Sequence, residues 1–314
     1  MDKKKGQFSA LFCISEAFRM NRILLTLAAT MVLASPLTAK TLTEMFPDIS
    51  KVYYEEGVKA LEPLDFKQGK ITVGGDIATI DLSDKFYFLD AKDATYVLTT
   101  LWGNPPDDST LGMIFPVEMT PLDETWGIEV SFDDIGYVSD EDADGYDYDE
   151  LLETMKQDIN GENEWRRENN YPALELLGWA APPHYDAEGR KLYWAKEIRF
   201  DGDETTTLNY NIRILGRKGV LVVNFIADTA MLDQVNAVAP EVLAMTNFTD
   251  GNKYSDFNPS MDKVAAVGIG GLIAGKVLAK TGLIAVALIF LKKFAFLLLI
   301  PLFWLKSRFG RKNS

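Results

Sequence analysis

Three consecutive stretches decide the fold: LYWAKEIRF (Leu192–Phe200), TTLNYNIRIL (Thr206–Leu215) and VLVVNFIA (Val220–Ala227). Each alternates apolar and polar residues, the period of a strand with one face buried. The links between them, DGDET (201–205) and GRKG (216–219), are short and rich in turn formers. Three strands joined by two tight links predict an antiparallel meander.

Working outward, the same reading finds helices kept apart from strands. Residues Thr41 to Leu64 read as helical turns. Lys70–Val73 and Ile77–Leu82 flank Gly74-Gly75-Asp76, a hairpin turn built from residues tolerant of positive φ. KFYFL (85–89) is a further strand. Ala91–Trp102 has helical spacing and stops at Gly103, before Pro105-Pro106. Leu111–Val117 and Trp126–Phe132 read as strands, with Trp126, Ile128, Val130 and Phe132 on one side. DYDELLETMKQD (147–158) predicts a helix with Asp147 as N-cap, Glu150 completing a capping box, and Leu151, Leu152 and Met155 as its apolar stripe. An amphipathic helix over Met231–Met245 follows the meander. The expected class is α+β, a mostly antiparallel sheet with packed helices, plus a C-terminal transmembrane helix.

That last element rests on the end of the chain. From Lys263 to Ser314 there are nine basic residues and no acidic one, and Val264 to Leu305 is almost wholly apolar. An apolar run closed by Lys306, Arg308, Arg311 and Lys312 reads as a membrane anchor with a cytoplasmic tail. At the other end, Arg22 and the eleven-residue, mostly apolar segment Ile23–Leu33 read as a secretory signal peptide, with Met20 the expected start of translation. Three parts are therefore expected: 1–39 extension and signal, 40–262 exported domain, and 263–314 anchor. The exported domain would lie outside the bacterial inner membrane. The only cysteine, Cys13, falls in the first part, so the exported domain has no thiol ligand or disulfide.

Charge is divided sharply between these parts. Of 46 acidic residues, all but Asp2 and Glu16 fall within 40–262, together with 18 of the 32 basic ones, a formal charge of −26. The anchor carries +9. Such a domain is repelled by nucleic acid and by anionic lipid surfaces, so neither is an expected ligand. Solubility alone accounts for acidity spread along a chain.

Several motifs carry a resemblance. Gly178-Trp179-Ala180, Pro182-Pro183-His184-Tyr185-Asp186, Leu192-Tyr193-Trp194-Ala195 and LNYNIRILGRKGVL (208–221) occur in that order. GYVSDEDA (136–143), YDELL (148–152) and SDFNPSMDKVAA (255–266) complete the pattern. From about Leu61 onward the chain resembles the bacterial membrane-anchored family known as domain of unknown function 2167. The resemblance implies a secreted, tethered domain and carries no assigned activity.

Among candidate sites, Asp140, Asp142 and Asp144 with Gly145 form a D-x-D-x-D-G string, the opening of a calcium loop. The twelfth position is Leu151 where a bidentate glutamate is needed. A solvated loop leading into a capped helix explains the string without metal. Trp179, His184, Tyr185, Asp186 and Trp194 could line a small pocket, or pack as an aromatic turn on the meander. With one histidine and no exported cysteine, no nucleophilic triad or histidine-based zinc site can be drawn. No other cofactor is expected. Gly271 and Gly275 set small residues at helical spacing for packing on a second copy or another membrane protein. Lys292-Lys293 interrupts the strongest apolar window, at roughly 2.5–3.5 kcal/mol per lysine at mid-bilayer. One crossing, Val264–Leu291, is preferred to two, because two would return the basic tail to the outside. The leading function is a tethered binding or scaffold module. A calcium-responsive module and an envelope hydrolase with a site near His184–Asp186 are the alternatives.

Overall fold

The computed structural model describes residues 39–143 and 145–275. The expected signal segment, Asp144, Lys292-Lys293 and the basic tail lie outside the described residues. The class is α+β with mostly antiparallel sheets and packed helices.

Three short helices, α1 (Leu42–Met45), α2 (Ile49–Val52) and α3 (Glu55–Leu61), lead into the hairpin of β1 (Lys70–Val73) and β2 (Ala78–Asp81). Gly74, Gly75 and Asp76 all take positive φ at its turn, the conformation that glycine permits. Next come β3 (Phe86–Asp90) and α4 (Ala91–Tyr96). The Asp90 carboxylate caps α4 by accepting from the amides of Lys92 and Asp93, and a π turn over Val97–Leu101 extends it. β4 (Thr110–Pro116) and β5 (Gly127–Asp133) precede α5 (Tyr148–Glu168), where Asp147 accepts from the amides of Asp149 and Glu150. The cap sits at the expected residue, but the helix continues ten residues past Asp158, to the left-handed Asn170.

The meander is β7 (Lys191–Phe200), β8 (Thr207–Leu215) and β9 (Val220–Asp228). It is preceded by β6 (Leu174–Asp186), a strand that runs through the residues expected to form an aromatic turn around His184. Pro182 and Pro183 lie in β6, which tolerates them as an edge strand with register shifts on either side of Ala181. After β9 come α6 (Leu232–Met245), β10 (Thr246–Phe248) and α7 (Ile269–Ala274). The main sheet has the order β3-β4-β5-β9-β8-β7-β6, antiparallel throughout, and β1-β2-β10 forms a second sheet.

Alternation divides the side chains of the main sheet. Ile128, Val130, Ile212, Val223 and Phe225 pack against α6 and the small sheet in the largest core cluster. The opposite face is covered only at its ends. Tyr87, Leu89, Met113 and Phe115 pack beneath α1–α4, whereas Leu192, Trp194, Leu215 and Val220 pack beneath α5 and α7. A one-residue slip would exchange these faces, which is why the register is strongly specified.

Residues 263–275 are part of the packed unit: the Tyr137 amide donates to the Lys263 carbonyl (2.8 Å) and the Ala265 amide to Tyr137 (2.8 Å). Ile269, Leu272 and Ile273 are buried with Leu151 and Met155. α7 ends at Gly275, φ 69°. A continuous membrane helix from Val264 is therefore replaced, over its first twelve residues, by loop and a six-residue helix packed on the domain. No helix among the described residues is long and apolar enough to cross a membrane.

Candidate functional site

Of the expected calcium string, two carboxylates can be placed. Asp140 Oδ2 accepts from the Tyr185 hydroxyl (2.7 Å) and from the Arg190 guanidinium. Tyr254 Oη lies 3.0 Å from Asp140 Oδ1 and 3.1 Å from the Val138 carbonyl. The Arg190 guanidinium also covers the Tyr254 ring at 4.9 Å, and Tyr137 stacks on both Tyr254 (4.5 Å) and Phe257 (3.8 Å). Burial opposes the Asp140 charge, but the hydroxyls of Tyr185 and Tyr254 and the Arg190 charge outweigh it and hold the carboxyl below its usual range. Asp142 turns elsewhere, accepting from the Tyr146 hydroxyl (2.6 Å) and the Ile269 amide (3.4 Å). Asp140 clamps the loop to β6 and the C-terminal segment, and Asp142 clamps it to α7. No group of three metal-binding side chains converges among the described residues.

The five residues of the expected pocket are divided by the sheet. Tyr185 pairs with Leu192, and Trp179 with Lys196, on the face under α5. His184 pairs with Tyr193 on the other face, where it is exposed and stacks on that ring at 6.4 Å. The Asp186 carboxylate accepts the amides of Glu188 and Gly189 in the turn to β7. Trp179 donates to the Tyr148 carbonyl at 3.2 Å, tying β6 to the first turn of α5. Trp194 is 2% exposed. Gly271 is buried within α7, and Gly275 is its left-handed cap.

Trp194 opens onto a feature the sequence reading did not assemble. Between the two helix-covered ends of its second face, the main sheet carries a polar floor, half-buried at Glu129, Asn224 and Arg213 and buried at Ser131 and Asn211. Cross-strand pairing sets Glu129, Asn224, Asn211 and Trp194 in one row, and Ser131, Val222, Arg213 and Leu192 in the next. Asn209 and Lys196 pair in a third. The Arg213 guanidinium lies 5.0 Å above the Trp194 ring and donates to Asn224 Oδ1 (2.9 Å) and Asn211 Oδ1 (3.3 Å). Asn224 then donates to Glu129 Oε2 (3.1 Å), so Arg213 and Glu129 are linked through an amide rather than by direct contact. A cavity of about 420 Å³ opens on this floor, lined by Thr99, Asn104, Ser109, Glu129, Arg213 and Asn224 among others. That volume lies in the range of small-molecule sites.

The electrostatics of the floor are unusual for so acidic a domain. Arg213 and Lys196 are half-buried, and among the described residues neither has a carboxylate within ion-pair distance, although Asp133 and Glu129 act on Arg213 and Glu162 on Lys196 from farther away. Burial, with the Arg213 charge beside it, lowers Lys196 to about 8, and burial lowers Arg213 to about 10. Burial raises Glu129 against the pull of Ser131, Asn224 and Arg213. The Trp194 indole N–H, buried below, has no hydrogen-bond partner. The visible signal was Asn209-x-Asn211-x-Arg213: polar residues at strand spacing in a strand whose other face is wholly apolar.

A family model described as protein of unknown function, DUF2167, matches residues 65–303. The chain belongs to this family. No curated protein matches it. Among solved structures, cyanobacterial PsbP from Synechocystis is 12% identical, covering 57% of this chain and 91% of that one, with a TM-score of 0.33. The Ran-binding protein Mog1p of Saccharomyces cerevisiae is also 12% identical, covering 62% and 100%, with a TM-score of 0.30. The DUF2167 match spans both the Asp140 clamp and the polar floor.

Proposed function

We propose that this DUF2167 chain is an exported, membrane-tethered binding module of the bacterial envelope, and that the polar floor of its main sheet is the ligand seat. The observation that carries the reading is the floor itself. Helices cover both ends of that face and leave a polar cavity between them, with a guanidinium held in place by Asn211 and Asn224. A fixed charged group among amides and hydroxyls is the usual device for orienting a small ligand. Export and tethering are supported by the Ile23–Leu33 segment, the apolar run beyond Gly275 and the basic tail. The tail would stay in the cytoplasm. Self-association through the membrane segment remains part of the proposal.

A photo-crosslinking residue in place of Ser109, at the exposed wall of the cavity, in cells with intact membranes, tests the seat. The expected result is a discrete adduct, by gel or intact mass, that the same probe at the exposed Glu204 does not give. No adduct at Ser109 under any growth condition would overturn the assignment.

A further inference from the structure

We propose that the ligand is a neutral saccharide of one or two rings, held by its hydroxyls between Arg213 and the carboxylates that line the same cavity. The inference rests on the floor being a ligand seat and adds the ligand's chemistry.

The first argument is charge. Glu129, Ser131 and Asp133 alternate along β5 and so share a face, and Asp107 joins them in the lining of the cavity. Three carboxylates repel an anion. Arg213, half-buried in the same lining, repels a cation at the floor. No group of three metal-binding side chains converges among the described residues. The opposite charges are not merged in an ion pair either, since Arg213 reaches Glu129 only through the Asn224 amide. Such a lining favours a ligand without net charge.

The second argument is valence. Arg213 directs its Nη groups to Asn224, Asn211 and the Ile212 carbonyl, and its Nε–H has no acceptor among the described residues. Asn104 donates its side-chain amide to the Leu98 carbonyl (3.0 Å), which leaves Oδ1 open. Asp107 Oδ1 accepts the Ser109 amide (2.8 Å), which leaves Oδ2. The Asp133 carboxylate is exposed and makes no hydrogen bond among the described residues. Unused donors and acceptors thus stand around one space. A hydroxyl both donates and accepts, so neighbouring hydroxyls of a sugar ring can serve guanidinium, amide and carboxylate together; an ion of either sign cannot. Leu98, Pro105 and Pro106 add apolar surface to the lining, against which the C–H face of a ring can pack. The volume, about 420 Å³, is at the small end of ligand sites and sets the limit of one or two rings.

Saturation-transfer NMR on the full chain at pH 7 tests this, in micelles of an amine-oxide detergent whose head group carries no sugar. The probes are glucose, N-acetylglucosamine and maltose. Saturable transfer to at least one of them is expected, weakened about tenfold or more by Asp133→Ala and by Arg213→Gln and unchanged by Lys85→Met. Arg213→Gln alters a half-buried network and can fail to fold; Asp133→Ala, which removes an exposed group, keeps the test decisive. Absence of saturable transfer to all three sugars, or undiminished binding by folded Asp133→Ala, overturns the inference. Spermidine or inorganic phosphate displacing the sugar at lower concentration than the sugar itself would also overturn it, in favour of an ionic ligand. If the Ser109 probe still gives its adduct in any of these cases, the seat stands and only the saccharide assignment falls.

Discussion

A charged lysine beside an arginine under a helix is costly to keep, and the cost has a pH signature. Lys196 falls from 10.5 to about 8, so between those values the unfolded chain binds the proton that the folded chain has released. Stability from this group therefore rises with pH from about 8 towards 10. Lys196→Met is expected to raise unfolding free energy at pH 7 by about 1–3 kcal/mol and to flatten the alkaline rise. Urea melts at pH 7 and 9.5 measure both; a variant less stable than the parent at pH 7 refutes the account. Asp140 has the opposite sign. Its carboxyl is held below the usual 3.8, so its contribution is present above that value and is lost as pH falls through the lowered one. Asp140→Asn should cost about 1–3 kcal/mol at pH 7, discounted because Arg190 is 41% exposed, and less near pH 3.

Among elements, α7 and its approach carry the clearest lesson. A Cβ on Gly270 would come within 2.1 Å of Tyr146 Cε1, so the helix lies directly against that ring. Gly270→Val should cost about 1–3 kcal/mol by overpacking. Gly161, in the interior of α5 with nothing within 4 Å of its Cβ position, is the control: Gly161→Ala should add about 0.5–1 kcal/mol. Equal effects from the two substitutions in thermal melts would refute the packed position of α7. Val264–Ala274 reads as membrane from composition because lipid and protein cores select the same side chains, and only the Leu151 and Met155 stripe of α5 distinguishes them. The meander was legible because polar residues recur along β7 and β8 and short turn-rich links join them to the apolar run of β9. β6 was not: two prolines and a glycine conceal a strand that an edge position and register shifts make possible. The polar floor needed three strands in register, and pairing between Glu129, Asn224 and Asn211 is not written in any one of them.

For the whole molecule, the formal charge of −26 gathered in residues 40–262 sets how cations act on the fold. Self-repulsion on that scale weakens the folded state, and salt relieves it because the screening length falls to about 10 Å at 0.1 M. Raising sodium chloride from 0.02 to 0.3 M should therefore raise the melting temperature without any site. Calcium would add to this only through specific coordination. Asp140 is already held by an arginine and two tyrosines, and Asp142 by Tyr146 and the Ile269 amide. A calcium ion drawing both carboxylates together would have to displace Arg190 and release α7. Calcium and magnesium at millimolar concentration and equal ionic strength should then shift the melting temperature alike, within about a degree. A calcium shift several degrees larger, abolished by Asp142→Asn, would restore the calcium loop and show that the clamp around Asp140 opens.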